Sequence, residues 1–227
     1  MEDFSRIVHT APAVTLLGGG AARESDLRES LDFAPLLVCA DGGANYEVES
    51  GVRRAGIIGD KDSIPDGLRW GNDAVFAGVP VLELTDQNTT DFEKCLSVVR
   101  APLVIGVGFL GKRLDHQLAV LNGLCKHADR TIVLIGEEDI VFRAPPLFRV
   151  DLPAETRVSL HPLTGSQARS KGLRWPVEGL DFQPDGQIGS SNAATGGEMR
   201  LETANGHLLV MLPRPFLGAV IGGLETL

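Results

Sequence analysis

The stretch Leu36-Leu-Val-Cys-Ala-Asp-Gly-Gly-Ala-Asn45 joins a short apolar run to an aspartate that is followed by two glycines. A continuous apolar run of this length is typical of a strand buried on both faces of a parallel sheet. Asp41 comes directly after the run, where the chain would leave the sheet. In open α/β sheets, ligands bind at the carboxyl ends of the strands. The stretch therefore predicts a strand that delivers a carboxylate to a binding edge.

Similar apolar runs recur through the first 140 or so residues and alternate with helix-like stretches. Strands are predicted at residues 14–17, 36–40, 56–58, 79–84, 103–107 and 131–135, and helices at 21–31, 44–50, 90–100 and 114–127. Strand–helix alternation favours an α/β domain with an open, mostly parallel sheet flanked by helices.

The pattern changes at Ala144-Pro145-Pro146, after which brief alternating runs are separated by Gly, Pro, Ser and Asn. Strands are predicted at 148–152, 158–161, 173–177, 198–203 and 207–212, and no helix is predicted beyond the prolines. Asn205-Gly206 predicts a hairpin, since both residues tolerate positive φ. We expect residues 1–143 to form the α/β domain and residues 144–227 an antiparallel β-sandwich or barrel.

Composition excludes several classes of protein. Lys and Arg number 21 against 30 Asp and Glu, a formal net charge of −9, which argues against a nucleic-acid-binding surface over the whole chain. No apolar run approaches the roughly 18–20 residues of a membrane span, and the N-terminus lacks the features of a secretory signal. The three cysteines lie far apart and are expected to be free thiols in a reducing cytoplasm.

Aspartates follow four of the predicted strands at the points where these strands end. They are Asp41, then Asp60 and Asp62, then Asp86 and Asp91, and finally Asp115. Carboxylates gathered at one sheet edge repel one another, and a divalent cation resolves the conflict. Mg²⁺ prefers such oxygen ligands and shares them with substrate phosphates. The alternative for any single aspartate is an ordinary loop or helix-capping residue.

Two helix starts offer groups for phosphate binding. Thr90-Asp-Phe-Glu93 fits a capping box, which places Asp91 and Lys94 on the first turn of a helix whose free N–H groups and lysine charge suit phosphate. A solvated surface charge is the alternative for Lys94.

At the second helix start, Arg113 is a candidate to bind phosphate oxygens in a forked geometry, Asp115 to cap the helix, and His116 to donate to phosphate. The expected apolar face of this helix includes Leu118, Leu121 and Cys125. The alternative for His116 is a packed or capping residue.

A glycine triplet, Gly18-Gly19-Gly20, follows the first predicted strand. It resembles a turn that cradles phosphate but lacks the spacing of a dinucleotide-binding motif. Close backbone packing is the other interpretation.

The C-terminal half offers recognition rather than chemistry. Trp175 is a candidate to stack on a flat or cationic ligand, and Ser191 and Asn192 to hydrogen-bond a heteroaromatic ring. A tryptophan in the sandwich core and an ordinary polar turn are the alternatives.

Six segments, taken together and in order, resemble the thiamine pyrophosphokinase (thiamine diphosphokinase) family. They are residues 40–45, 59–63, 86–94, 111–116, 172–179 and 189–192. The resemblance implies an N-terminal α/β catalytic domain, a C-terminal β domain and a homodimer with thiamine at the subunit interface. It also implies ATP as co-substrate and Mg²⁺ as cofactor, in a cytoplasmic enzyme with no nucleic-acid or membrane partner.

The resemblance also implies residue roles. They are Asp60, Asp62 and Asp91 for the metal; Asp41, Gly42, Asn45, Gln87, Thr90, Lys94, Arg113, Asp115 and His116 for the nucleotide; Trp175, Ser191 and Asn192 for thiamine; and Asp62, Asp91, Asp115, Lys94 and Arg113 for catalysis. In the expected reaction the thiamine hydroxyl attacks the β-phosphorus of ATP and AMP leaves, with Asp91 or Asp115 as proton acceptor. Another Mg²⁺-dependent transferase or phosphatase with an Asp-x-Asp site, and a non-catalytic sensor of ATP or thiamine, are the alternatives.

Overall fold

The computed structural model describes residues 8–49, 51–60 and 78–225. It divides into two compact units between Glu137 and Glu138, a few residues before the boundary expected near residue 144. The functional assignment of residues 1–143 and 144–227 to two domains remains a prediction.

The first unit contains a six-stranded sheet in the order β6-β5-β1-β2-β3-β4, in which neighbouring strands run parallel. Its strands are β1 (Ala13–Leu17), β2 (Leu36–Ala40), β3 (Arg54–Gly59), β4 (Val81–Glu83), β5 (Leu103–Val107) and β6 (Thr131–Ile135). The helices are α1 (Glu24–Phe33), α2 (Asp91–Val98) and α3 (Leu114–Lys126). The predicted open parallel sheet with flanking helices is confirmed.

Burial explains why the strands were readable in the sequence. Every residue of β1 and β5 is buried, as expected for central strands covered on both faces. Thr15, the polar residue of β1, is satisfied within the core because it hydrogen-bonds the Ser30 hydroxyl and donates to the Ala34 carbonyl, both at 2.7 Å. The strand keeps its apolar character without leaving a buried polar group unpaired.

The helix predicted at residues 44–50 is wrong, because a short 3₁₀ turn, Asp41–Asn45, stands at the start of this segment and no helix follows it in residues 46–49. Arg54 from β3 donates to the carbonyl oxygens of Ala44 and Tyr46, groups that a continuing helix would use itself. Gly43 lies so close to the Leu17 carbonyl that a Cβ would overlap it. Contacts with β1 and β3 therefore set the conformation of this turn.

The expected apolar face of α3 is also wrong. Val120, Gly123 and Leu124 are the buried residues of this helix, whereas Leu118 is 58% exposed. The apolar stripe at Leu118 therefore contributes little to the core of this unit.

The second unit is built of two antiparallel sheets, in the orders β12-β9-β14-β7 and β11-β10-β13-β8. Its strands are β7 (Asp139–Arg143), β8 (Leu147–Leu152), β9 (Arg157–Pro162), β10 (Ser166–Lys171), β11 (Asp181–Phe182), β12 (Gly189–Ala193), β13 (Gly197–Asn205) and β14 (Leu208–Pro213). Phe142 of β7 and Phe148 of β8 pack with ring centroids 4.9 Å apart, so the two sheets share a core. The predicted antiparallel sandwich is confirmed.

Two local predictions in this unit are wrong. Residues 173–177 form no strand, and only one isolated bridge joins Leu173 to Ala194. Asn205-Gly206 does not close a hairpin, because β13 pairs with β8 and β10 while β14 pairs with β7 and β9. Gly206 has φ +74° at the corner where the chain passes from one sheet to the other. Of the two residues, only Gly206 has a positive φ, and it serves a change of sheet rather than a hairpin.

A helix that the sequence did not predict, α4 (Leu217–Glu225), packs on β8. Its sequence, Leu-Gly-Ala-Val-Ile-Gly-Gly-Leu-Glu, is short, apolar and rich in glycine, so neither periodicity nor helix propensity marks it. Gly223 provides the reason for the glycine, because a Cβ there would overlap the Arg149 carbonyl and lie 3.1 Å from Phe148 Cε2. Tertiary contact with the sheet therefore favours glycine where helix propensity does not.

Among the described residues, no helix has both the length and the apolar character needed to cross a bilayer.

We predict that Gly222→Ala and Gly223→Ala have opposite effects on stability. A Cβ on Gly222 meets no described atom within 4 Å, so alanine should stabilise the helix by up to about 1 kcal/mol. At Gly223 the overlap with Arg149 should outweigh this gain and destabilise the protein by about 1–3 kcal/mol.

Urea unfolding of both variants measures the difference, and Gly222→Ala serves as the matched control for helix propensity. Equal midpoints for the two variants would contradict the packing of α4 on β8 described above.

Candidate active site

A pocket of about 610 Å³ opens at the carboxyl edge of the parallel sheet. Its walls are the turns after β1, β2 and β5, the end of β3, and the first turns of α2 and α3. The residues lining it are Gly18, Gly19, Gly20, Ala40, Gly42, Asn45, Asp60, Gln87, Thr89, Thr90, Asp91, Phe92, Lys94, Gly108, Phe109, Gly111, Lys112, Arg113, His116 and Val120. This is the edge at which open α/β sheets bind ligands.

Three aspartates from separate segments converge beside this pocket. Asp41 follows β2, Asp60 follows β3 and Asp91 opens α2, and one carboxylate oxygen from each lies within 4.8 Å of the others. The carboxyl ends of parallel strands bring the first two together, and the capped start of α2 adds the third. The predicted partner Asp62 lies outside the described residues, so its place relative to this cluster remains a prediction.

Asp41 is the most constrained member of the cluster. Its side chain is only 1% exposed, its φ is +34°, and its Oδ1 has no hydrogen-bond partner among the described residues. The Cα of Gly59 packs against it, because a Cβ there would lie 2.6 Å from Asp41 Cβ. A buried carboxylate oxygen without a partner is costly, and a cation supplies what it lacks.

Lys94 is the counter-charge of the cluster. Its Nζ lies 2.6 Å from Asp60 Oδ2 and 3.4 Å from Asp91 Oδ1, and its side chain is 4% exposed. Burial acts to lower its pKa, but the hydrogen bond to Asp60 and the charge of Asp91 outweigh burial, so the pKa of Lys94 is raised. Lys94 is therefore a charged lysine buried among carboxylates, and the alternative of a solvated surface charge is wrong.

The pKa of Asp91 is also raised, which for a carboxyl group disfavours the charged form. Burial and then the negative charge of Asp41 raise its pKa, and these effects exceed the opposing influence of Lys94. One ammonium therefore does not compensate three carboxylates. The oxygen donors and the remaining negative charge fit a hard divalent cation such as Mg²⁺.

The start of α2 is fixed by a reciprocal pair of hydrogen bonds. The Glu93 amide donates to Thr90 Oγ1 and the Thr90 amide donates to Glu93 Oε2, both at 3.3 Å, which confirms the predicted capping box. Glu93 also binds Lys126 of α3. The cap holds Asp91 and Lys94 toward the cluster while Glu93 itself serves structure.

Gln87 and Asp86 precede α2 and differ in their relation to the site. Gln87 Nε2 donates to Asp60 Oδ2 at 3.3 Å and lines the pocket. Asp86 does not line it and instead accepts hydrogen bonds from the Asn88 amide and the Thr89 hydroxyl, which hold its pKa below the usual value. Asp86 is a turn residue, the alternative foreseen for any single aspartate.

At the start of α3, Arg113 and Asp115 form a forked ion pair. Arg113 Nε and Nη2 lie 3.1 and 2.6 Å from the two carboxylate oxygens of Asp115, and both side chains are mostly exposed. The hydrogen bond from Arg113 lowers the pKa of Asp115 to about 2. Arg113 and His116 line the pocket, whereas Asp115 does not and lies outside the aspartate cluster.

The glycine triplet serves close packing. The Gly18 amide donates to Val107 O at 2.8 Å and the Gly20 amide to Gly108 O at 2.7 Å, so the turn is joined to the end of β5. A Cβ on Gly20 would overlap the Gly108 carbonyl. Of the two interpretations of the triplet, the structure supports backbone packing, while the turn still forms one wall of the pocket.

Sequence reasoning did not propose Phe92, Phe109 or Lys112 as site residues, although all three line the pocket. Phe92 and Phe109 stack with ring centroids 4.7 Å apart and provide an apolar wall. Lys112 reaches across the pocket mouth, and its Nζ donates to the Gly19 carbonyl at 2.9 Å. Lys112 precedes Arg113 and lies within the segment 111–116 that carries the family resemblance, and that position was the signal available for it.

In the second unit, Trp175 lies at the surface and is 56% exposed, so the alternative of a tryptophan in the sandwich core is wrong. Buried Asn192 fixes its backbone, accepting from the Trp175 amide at 3.2 Å and donating to the Trp175 carbonyl at 2.7 Å. The Arg174 guanidinium lies 5.5 Å from the ring centroid. Ser191 is exposed with φ +58°, and its amide donates to Ser159 Oγ at 3.0 Å. Asn192 is therefore a buried residue that fixes the backbone of Trp175, and the indole is the exposed group.

Comparisons with known proteins agree with this architecture. Residues 27–135 match the family "Thiamin pyrophosphokinase, catalytic domain", and residues 148–208 match "Thiamin pyrophosphokinase, vitamin B1 binding domain". The first match contains the aspartate cluster and the whole of α2 and α3. The second contains Trp175 and Asn192.

Curated relatives of similar length share this assignment. Thiamine pyrophosphokinase 2 of Arabidopsis thaliana is 28% identical over 194 residues, which cover 71% of this chain and 72% of the relative. Thiamine pyrophosphokinase 1 of Oryza sativa subsp. japonica is 28% identical over 207 residues, covering 74% and 78%.

Solved structures show the same fold. The thiamine pyrophosphokinase of Bacillus subtilis superimposes with a TM-score of 0.76 at 17% identity, covering 88% of this chain and 98% of that one. The thiamin pyrophosphokinase of Candida albicans gives a TM-score of 0.72 at 17% identity, covering 91% and 90%. Because the two family matches together span most of the sequence, this chain belongs to the thiamine pyrophosphokinase family.

Proposed function

We propose that this protein is a thiamine diphosphokinase, which transfers a diphosphate group from ATP to the hydroxyl of thiamine and releases AMP. The observation that carries the proposal is the convergence of Asp41, Asp60 and Asp91 around Lys94 beside a pocket at the carboxyl edge of the sheet. The region matched to the family's catalytic domain contains all four residues.

The aspartate cluster fits Mg²⁺. Asp41, Asp60 and Asp91 would hold the ion, and the buried Oδ1 of Asp41 is the oxygen in greatest need of it. When bound, the ion neutralises charge on the phosphates of ATP. Asp62 remains a predicted fourth ligand and catalytic residue.

The chain's own cations and helix start position the nucleotide. Lys94 is held at the cluster by Asp60 and Asp91, and Arg113 and His116 line the opposite part of the pocket. The capped start of α2 adds its amide groups, which favour phosphate. Phosphoryl transfer needs mainly positioning and electrostatic stabilisation, which this arrangement supplies.

Of the two carboxylates considered as proton acceptors, Asp115 is poorly suited to that role. Burial and Asp41 raise the pKa of Asp91, whereas Arg113 holds the pKa of Asp115 at about 2. A carboxylate stabilised in its charged form accepts a proton poorly. We therefore assign Asp115 the role of holding Arg113 beside the pocket and Asp91 that of a cation ligand.

We further propose that Trp175 and Ser191 recognise thiamine, with Asn192 holding the backbone of Trp175. An exposed indole face attracts a flat cation, and thiamine is cationic. The homodimer with thiamine at the subunit interface, and the cytoplasmic location, belong to the same proposal and rest on the family resemblance; the three free cysteines are compatible with a reducing compartment.

One assay tests the proposed reaction. Purified protein is incubated with ATP, Mg²⁺ and thiamine, and the products are separated by chromatography. Thiamine diphosphate and AMP should appear in equal amounts. ADP with thiamine monophosphate, phosphate release alone, or binding without turnover would each overturn the proposal.

We predict that Asp91→Asn lowers kcat by at least about 10²-fold, because it removes one charge from the cation site. Asp86→Asn, the same substitution outside the pocket, should stay within about twofold of the wild type. Steady-state kinetics measures both, with circular dichroism to verify folding. A folded Asp91→Asn protein with near-normal turnover would remove Asp91 from the site.

For Trp175→Ala we expect thiamine affinity to fall at least about tenfold while ATP affinity changes little, since an aromatic stacking surface is lost. Trp175→Phe should recover much of the thiamine affinity. Isothermal titration calorimetry gives both constants. An unchanged thiamine affinity in Trp175→Ala would show that the indole does not contact the substrate.

A further inference from the structure

Three cationic side chains with permanent charge line the pocket, and they differ in how that charge is compensated. Lys94 is paired with Asp60 and Asp91, and Arg113 is forked onto Asp115. Lys112 contacts the neutral carbonyl of Gly19 at 2.9 Å and, within the described part of the chain, has no carboxylate within ion-pair distance. Among the described residues, Lys112 is therefore the lysine or arginine of this pocket that pairs with no acidic side chain.

In the neighbouring glycine turn, the amides of the first and third glycines are not available to bind phosphate. The amides of Gly18 and Gly20 donate to Val107 O and Gly108 O, so neither points at a ligand. A phosphate group on this wall of the pocket would thus meet the Lys112 side chain and neither of these two amides.

The backbone of Lys112 shows that its position is constrained. Its φ is +60°, in the left-handed region that disfavours residues with a Cβ, and it follows Gly111 at φ +84°. Glycine would adopt this conformation more readily, so the lysine side chain is present despite the local preference. The conformation carries the exposed ammonium over to Gly19 at the edge of the pocket.

We propose that Lys112 binds the polyphosphate tail of the nucleotide. When the nucleotide binds, the Lys112 ammonium exchanges its hydrogen bond to the Gly19 carbonyl for hydrogen bonds to the phosphate oxygens. The inference rests on the proposed function, since it names a further substrate-binding residue of the same pocket. An anionic phosphate adds an attraction between full charges that the neutral Gly19 carbonyl does not offer to the ammonium. Lys112 should therefore discriminate in favour of ATP over the product AMP, which lacks the two outer phosphates.

Direct binding tests the proposal. The probe is α,β-methylene-ATP, which cannot be cleaved at the reacting position, titrated calorimetrically with Mg²⁺ in excess. Lys112→Gln should weaken its binding at least about tenfold, while AMP binding changes less than about threefold. Lys112→Arg should retain affinity within about threefold, because it keeps the charge.

Two further variants separate a phosphate ligand from a structural residue. Lys126→Gln removes an exposed lysine of α3 that pairs with Glu93 outside the pocket, and it should bind the analogue like the wild type. Lys112→Gly should bind as weakly as Lys112→Gln yet unfold at an equal or higher urea concentration, because glycine suits φ +60°.

Salt dependence adds a readout that a structural role would not change. Binding of the analogue to Lys112→Gln should weaken less steeply with KCl than binding to the wild type, because one charge pair is missing.

The inference is overturned if Lys112→Gln binds the analogue like the wild type, or if it loses AMP and the analogue equally. If the wild-type protein makes thiamine diphosphate while Lys112→Gln binds normally, this inference alone fails and the proposed function stands. A wild-type protein that binds no analogue overturns both.

Discussion

The binding edge of the first unit depends on three carboxylates, each with one oxygen within 4.8 Å of the others. Such a cluster is electrostatically unfavourable unless positive charge enters it, and Lys94 is the protein's own contribution at 2.6 Å from Asp60. The lysine belongs to the first turn of α2 and is buried. The position of that helix and the charge balance of the cluster therefore depend on each other. The charge that remains, together with an Asp41 Oδ1 that has no hydrogen-bond partner in the described ranges, makes the pocket suited to a cation and a polyanion bound together.

The turn that carries Asp41 is held in place by several neighbours that do not belong to the aspartate cluster. Arg54 binds the carbonyls of Ala44 and Tyr46, and the Tyr46 hydroxyl donates to Gly20. Gly43 and Gly59 allow the turn to approach β1 and β3 at distances that exclude a Cβ. The turn therefore joins the aspartate cluster to the glycine wall of the pocket. Both parts of the site are positioned by the same backbone contacts.

In the second unit, the residue of interest is one aromatic side chain, Trp175, that is exposed on the surface. Asn192 is buried and uses its amide to hold the backbone of Trp175 from both sides, so the ring stands outward without being packed in the core. The residues of interest thus divide into those that would touch a ligand and those that hold them. In the sequence the two kinds looked alike, since Asn192 and Ser191 stand side by side.

Local pattern was sufficient for much of this protein. Strands buried on both faces leave continuous apolar runs, so the parallel sheet and the aspartates after Ala40 and Gly59 could be read directly, and so could the Thr90 cap of α2. The glycine-rich α4 and the change of sheet at Gly206 could not be read, because helix propensity and turn chemistry do not report which surface a segment packs against.

The sequence by itself determined the sheet, the two-part organisation and the supply of acids at the strand ends, because these follow from hydrophobic periodicity along adjacent residues. Only the tertiary structure decided which acids meet. It placed Asp41 with Asp60 and Asp91, left Asp86 in a turn and Asp115 on Arg113, and brought Lys112 to Gly19. These outcomes depend on the direction in which each loop leaves its strand, and that direction is set by contacts between segments far apart in the chain.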